Sequence, residues 1–186
     1  MDHDIFGLFK PLKKIKFIKR QGWIQRGLDS ETIASHNFDS IHLGWYLAKK
    51  EGVDSVKVKS LLEVHDLVMA YLGDVTPKSG RYQDKDGLEG KATKQLAGDL
   101  PQEVRGEYLA LLKEFQERKS PEARMAKEAD KLATLLQGDA YEEETDRSDI
   151  QDEFLETYAP VFEEASQTGR EIFAIIQQRH EKRKKG

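Results

Sequence analysis

An adjacent His65-Asp66 pair stands in the middle of an otherwise apolar run from Leu61 to Leu72. Val58, Leu61, Leu62, His65, Val68, Met69 and Leu72 recur at three- and four-residue spacing. That spacing predicts one helix over about residues 55–72 with the imidazole on its inward face. A carboxylate beside a buried face is costly unless something pairs with it, and a metal ion is one such partner. Two other segments offer matching donors. His36 lies in the stripe Ile33, His36, Ser40, Leu43, Leu47, with the small Ser40 one turn on. Asp130 lies between Ala126 and Ala133, whose small side chains leave room for a carboxylate to reach inward. Two imidazoles and two carboxylates suit one divalent ion such as Mn, Co, Fe, Ni or Zn, and Mg less well. Such a centre accepts phosphate oxygens or acidifies a water. The bland reading of the same residues is hydrogen-bonded core histidines and turn aspartates.

The elements that must position these side chains read as helical throughout. Only five prolines interrupt the chain, long intervals carry a 3.6-type apolar period, and no strand alternation is visible. The pattern predicts an all-α single domain. A short basic helix over 5–18 carries Lys10, Lys13, Lys14 and Lys16, and the loop Arg20–Gly27 holds two guanidiniums and the indole of Trp23. Asp29 reads as the cap of a helix running to about Lys50, with Glu31 in its first turn. That helix has a second apolar stripe, Ala34, Phe38, Ile41, Trp45 and Ala48, so burial around much of its circumference is expected. Gly73 stops the His-Asp helix. Residues 74–86 read as loop and 86–97 as a weakly patterned helix. A further helix over 102–118 is expected to turn Val104, Tyr108, Leu111, Leu112 and Phe115 inward. Ser120-Pro121 opens the helix that bears Asp130. The acidic stretch 139–156 reads as a solvated helix end and loop, with a second cation site as a minority reading. The tail Arg179–Lys185 reads as basic and frayed.

With 186 residues, 38% hydrophobic and 34% charged, the chain supports one domain with a modest core. Its net charge of −4 gives no overall pull towards nucleic acid or membrane, and neither partner is expected. There is no cysteine, which excludes disulfides and thiolate metal sites. The start Met1-Asp2-His3-Asp4 is acidic where a signal peptide is basic, so a cytoplasmic protein is expected.

Three blocks resemble the HD-domain phosphohydrolases, and within them the 5′-deoxynucleotidase family. They are Gly22–Gly27 with Glu31-Thr32-Ile33-Ala34-Ser35-His36, then Val64-His65-Asp66 through Gly73-Asp74-Val75-Thr76-Pro77, then Ser120-Pro121-Glu122 through Ala129-Asp130. The resemblance covers about residues 10–145, leaving C-terminal helices over 148–186. It implies a single HD domain of about seven helices, a homodimer, and one divalent ion held by His36, His65, Asp66 and Asp130. It further implies that Asp74 is the general acid on the leaving ribose oxygen. Arg26, Arg20 and Trp23 are implied on the side of a nucleoside monophosphate, the guanidiniums for phosphate and the indole for stacking on a base. Two positions depart from the family pattern. Met69 stands where the family has the glutamate that handles the nucleophilic water, and Ser35 where an acidic residue precedes the first histidine. Methionine cannot take a proton. The expected activity is therefore a metal-dependent nucleotidase, with a nucleotide-binding protein without efficient turnover as the alternative.

Overall fold

The computed structural model describes residues 5–185, so the acidic Met1–Asp4 segment lies outside the described residues. The described chain is helical, and an isolated bridge between Lys19 and Thr32 is its one β-type pairing. The helices are α1 (Ile5–Ile15), α2 (Gln21–Ile24), α3 (Ile33–Glu51), α4 (Ser55–Val64) and α5 (Met69–Leu72). After a 3₁₀ turn at Tyr82–Asp84 come α6 (Lys85–Asp99), α7 (Gln102–Glu117), α8 (Pro121–Thr145), α9 (Asp152–Glu163) and α10 (Gln167–Lys185). The all-α class is as expected, and single-turn helices account for part of the excess over seven. Among the described residues no helix is long and apolar enough to cross a membrane.

The helix expected over 55–72 is two helices, and the chain breaks at the His-Asp pair. Leu67 N–H bonds to Val64 O at 3.4 Å, Met69 N–H to Asp66 O at 3.0 Å and Ala70 N–H to Leu67 O at 3.1 Å. These closures span three residues instead of four. Over so short a stretch both periods bury the same side chains, so the apolar pattern does not reveal the break. Gly73, at φ +74°, then ends α5, a backbone angle that a side chain resists.

The start of α3 also differs. Asp29 is not its cap but pairs with Lys19. The chain before α3 is extended, with Arg20 N–H on Glu31 O at 3.0 Å and Ile33 N–H on Ile18 O at 2.8 Å. Thr32 Oγ1 accepts the Ser35 N–H at 3.1 Å and takes the capping role. Glu31 therefore precedes the helix. On α3 the stripe of Ile33, His36, Ser40 and Leu47 is buried, whereas the other stripe is mixed: Ala48 is buried while Phe38 and Trp45 are exposed. On α7 likewise, Val104 is exposed rather than inward.

The fold divides into two compact units, each built from two stretches of chain. The first holds the described residues up to Asn37 with Glu63–Lys113, around a core that includes Ile15, Ile33, Leu67, Leu72, Leu96 and Leu100. The second holds Phe38–Leu62 and the chain from Glu114 onward, where α8, α9 and α10 pack together. There α3, α4 and α8 meet at Gly44. A Cβ on it would lie 3.0 Å from Val58 and 3.4 Å from Ala129, and closer still to Leu62.

The acidic stretch and the basic tail are neither solvated nor frayed where they meet. Asp139 accepts from Arg179 Nε at 2.8 Å, and from Arg183 Nη1. Glu142, fully buried, accepts from Gln151 N–H at 3.0 Å and bonds His180 Nδ1 at 2.9 Å. The His180 Nε2 contacts Asp152 at 2.8 Å. Asp139 and Glu142 share one face of α8 at i,i+3, and Arg179, His180 and Arg183 share one face of α10, so the charges meet in register.

Candidate metal centre

His36 projects inward from the start of α3 and is 1% exposed; His65 is buried at the break between α4 and α5. One donor atom from each of His36, His65 and Asp66 lies within 4.8 Å of the other two, and among the described residues these three form the group with that property. The imidazole centroids are 6.0 Å apart with the rings tilted at 59°, and His65 Nε2 is 3.4 Å from Asp66 Oδ2. Beside the break, the Tyr108 hydroxyl donates to Val64 O at 3.0 Å. Burial, then the Asp66 carboxylate, pushes that phenol's pKa up, so Tyr108 keeps the proton it donates.

A carboxylate that sequence reasoning missed lies behind His36. The Glu31 side chain is only 6% exposed, and its Oε1 accepts the Trp23 indole N–H at 3.1 Å and an Arg20 Nη1 N–H at 3.5 Å. The same oxygen is 4.0 Å from His36 Nδ1. Arg20 Nη1 itself stands 2.5 Å from that nitrogen. A guanidinium only donates, so in this arrangement Nδ1 accepts and the ring proton sits on Nε2. Sequence reading placed Glu31 in a helical first turn; the extended approach to α3 turns it inward instead.

Of the residues expected on the substrate side, Trp23 is 1% exposed, so its indole walls Glu31 and shows no open face for stacking in this conformation. Arg20 is bound to Glu31 and His36 as described. Arg26 donates to Gly22 O at 2.8 Å, folded back on its own turn. Asp74, directly after Gly73, accepts the Gln21 N–H at 2.5 Å, and Gln25 donates to Thr76 Oγ1 at 2.8 Å. These two bonds tie the arginine-bearing loop to the segment following α5. Met69 opens α5 and packs half-buried against the first unit's core. Asp130 lies on α8 in the second unit, outside the group of three. It is buried, with Lys127 Nζ at 2.8 Å and Lys131 Nζ at 3.2 Å from its Oδ2. Burial pushes the Lys127 pKa down, and the charge of Asp130 opposes that shift.

The donors suit a divalent cation. Nitrogen and carboxylate ligands about 2.0–2.2 Å from one ion lie roughly 3–4 Å from each other, so donor atoms within 4.8 Å of one another would need to close by at most about 1–2 Å.

The family described as HD domain matches residues 12–169. The chain belongs to the HD-domain family. This HD-domain protein is 32% identical over 149 residues to the 5′-deoxynucleotidase HDDC2 of Dictyostelium discoideum, covering 73% of this chain and 76% of that one. It is 26% identical over 151 residues to the protein of the same name from Bos taurus, at 80% and 73% coverage. Among solved structures, a conserved hypothetical protein from Pyrococcus furiosus superposes with a TM-score of 0.75 at 29% identity, over 94% of this chain and 99% of that one. A predicted metal-dependent phosphohydrolase from Magnetospirillum magnetotacticum superposes with a TM-score of 0.74 at 25% identity, over 97% and 94%.

Proposed function

We propose that this protein is a metal-dependent phosphohydrolase that removes phosphate from (deoxy)nucleoside 5′-monophosphates. The observation that carries the reading is the convergence of His36, His65 and Asp66 at a broken helix. The similarity to 5′-deoxynucleotidases narrows the substrate to a nucleotide. His36, His65 and Asp66 hold one divalent ion (Mn, Co, Fe, Ni or Zn), and Asp130 is the fourth ligand that the family resemblance implies. When bound, the ion draws charge from the phosphate and lowers the pKa of a water.

The protein's own side chains do the rest. Arg20, which stands beside His36 Nδ1, and Arg26 would supply the guanidiniums that contact the phosphate. Glu31, 4.0 Å from His36 Nδ1, would orient that ring as a ligand when a cation is held. Asp74, steadied by the Gln21 N–H, delivers a proton to the departing 5′-oxygen. Trp23 holds Glu31 in place and acts on the nucleotide only through it. Met69 contributes no proton acceptor, so turnover is slower than a glutamate at that position would allow. The resemblance also implies a homodimer, which sedimentation velocity tests.

The deciding assay incubates metal-free protein with Mn or Co and a panel of nucleoside 5′-monophosphates. Phosphate release that requires the added ion supports the reading. No release from any nucleotide with any of these ions defeats it.

A further inference from the structure

From Ile5 to Leu28 the chain contains five lysines and two arginines and not one aspartate or glutamate, in a protein whose net charge is −4. The whole-chain charge hides this local excess. Phe6, Lys10, Lys13 and Phe17 recur at four-, three- and four-residue steps, which keeps them on one stripe of α1 and the turn after it. That stripe is not folded inward. Phe6 is 80% exposed and Phe17 76%, with Ile5 and Phe9 also exposed. Between these rings runs an open groove of about 700 Å³, whose walls include Phe6, Phe9, Phe17, Lys10, Lys13 and Lys14. Lys10 and Lys14 are held by the fold, the first on Asp99 at 2.8 Å and the second over the Tyr71 ring at 4.3 Å. Lys13 lines the groove and is exposed, and Lys16, also exposed, reaches over the Phe9 ring at 5.6 Å.

We propose that this face docks the protein peripherally on an anionic phospholipid surface, with Phe6 and Phe17 entering the interfacial layer and Lys13 and Lys16 facing lipid phosphates. Exposed aromatic side chains ringed by lysines on one helical face match what an interfacial helix presents. Charge decides against the nearest competitor. A two-fold contact with a second copy would set the same basic stripe against itself, lysine facing lysine. An acidic peptide is the other competing occupant, and the polyglutamate arm of the test separates it from lipid. The inference is independent of the metal centre.

The test uses the full chain in vesicle co-sedimentation, comparing phosphatidylcholine alone with phosphatidylcholine containing 30% phosphatidylserine. At least tenfold stronger binding to the anionic vesicles is expected, weakening in 0.5 M salt. Phe6→Ser/Phe17→Ser should reduce that binding at least tenfold. Lys13→Glu/Lys16→Glu should remove its dependence on phosphatidylserine. Both variants should keep the wild-type helical circular dichroism, since all four side chains are exposed. Equal binding to both vesicles, or none to either, overturns the proposal. So does capture of polyglutamate without vesicle binding, or a dimer that the phenylalanine variant dissolves while vesicles are ignored.

Discussion

Replacing Arg20 by alanine should tighten the hold of the protein on a divalent cation and weaken its hold on a nucleotide, two effects of opposite sign from one side chain. Arg20 Nη1 stands 2.5 Å from His36 Nδ1 and 3.5 Å from Glu31, with its side chain only 16% exposed. Before His36 can ligate a cation this donor must leave, and for ligation through Nε2 the ring proton must also move. A hydrogen bond to a charged group contributes about 1.5–3 kcal/mol, and partial exposure favours the lower figure. Relieving the ion of that competitor is therefore worth roughly 1.4 kcal/mol, a factor of about ten in affinity. Removing a positive charge beside a cation acts in the same direction. The backbone bonds of Arg20, to Glu31 O and from Ser30 Oγ, survive the substitution, so the loop keeps its path. Calorimetric titration of metal-free protein with Mn should show Kd falling about tenfold in Arg20→Ala. In the phosphate-release assay kcat/KM should drop by at least tenfold, mainly through KM. Unchanged or weaker metal binding, in a variant with normal circular dichroism, would refute the competition between guanidinium and ion.

Glu31→Gln should weaken metal binding by about 10–100-fold, with partial recovery in Glu31→Asp, read by calorimetry on the metal-free protein. Met69→Glu should raise kcat by about 10²-fold or more at unchanged metal affinity, since it adds a proton acceptor at the start of α5. Asp99 is held below its ordinary value of 3.8, first by its hydrogen bond from Lys10 and then by Tyr71. A folded value below the unfolded one means that this stabilisation is present above the ordinary value and is lost as pH falls through the depressed one. Asp99→Asn should therefore melt below the parent at neutral pH, and the gap should close in strong acid. Chelator should lower the melting temperature of metal-loaded protein and leave metal-free protein unchanged, by simple linkage.

Much of the fold is legible in local chemistry. The Ser120-Pro121 start is confirmed by Ser120 Oγ accepting the Ala123 N–H at 3.1 Å, and Gly73 ends its helix at a positive φ. Those signals are short-range, so one sequence suffices to read them. The His-Asp break was hidden because a three-residue closure and a four-residue closure bury the same residues over a single turn. Glu31 was hidden because its burial depends on an extended pairing between Lys19 and Thr32, residues 13 apart, that leaves no apolar period. Asp139 and Glu142 read as solvated because their cations lie about 40 residues away on α10. Long-range charge matching leaves no periodic trace, so an acidic run reads as surface until its partner is placed. His36, His65 and Asp66 are legible as donors, whereas their convergence is a property of the folded chain.

The claim that these three side chains grip one cation is tested most directly by titrating metal-free protein with Co(II) and recording the visible spectrum. One equivalent should saturate the absorption bands, and the bands should disappear in both His36→Ala and His65→Ala. Absence of saturable bands in the parent, or bands that persist undiminished in both variants, would contradict it.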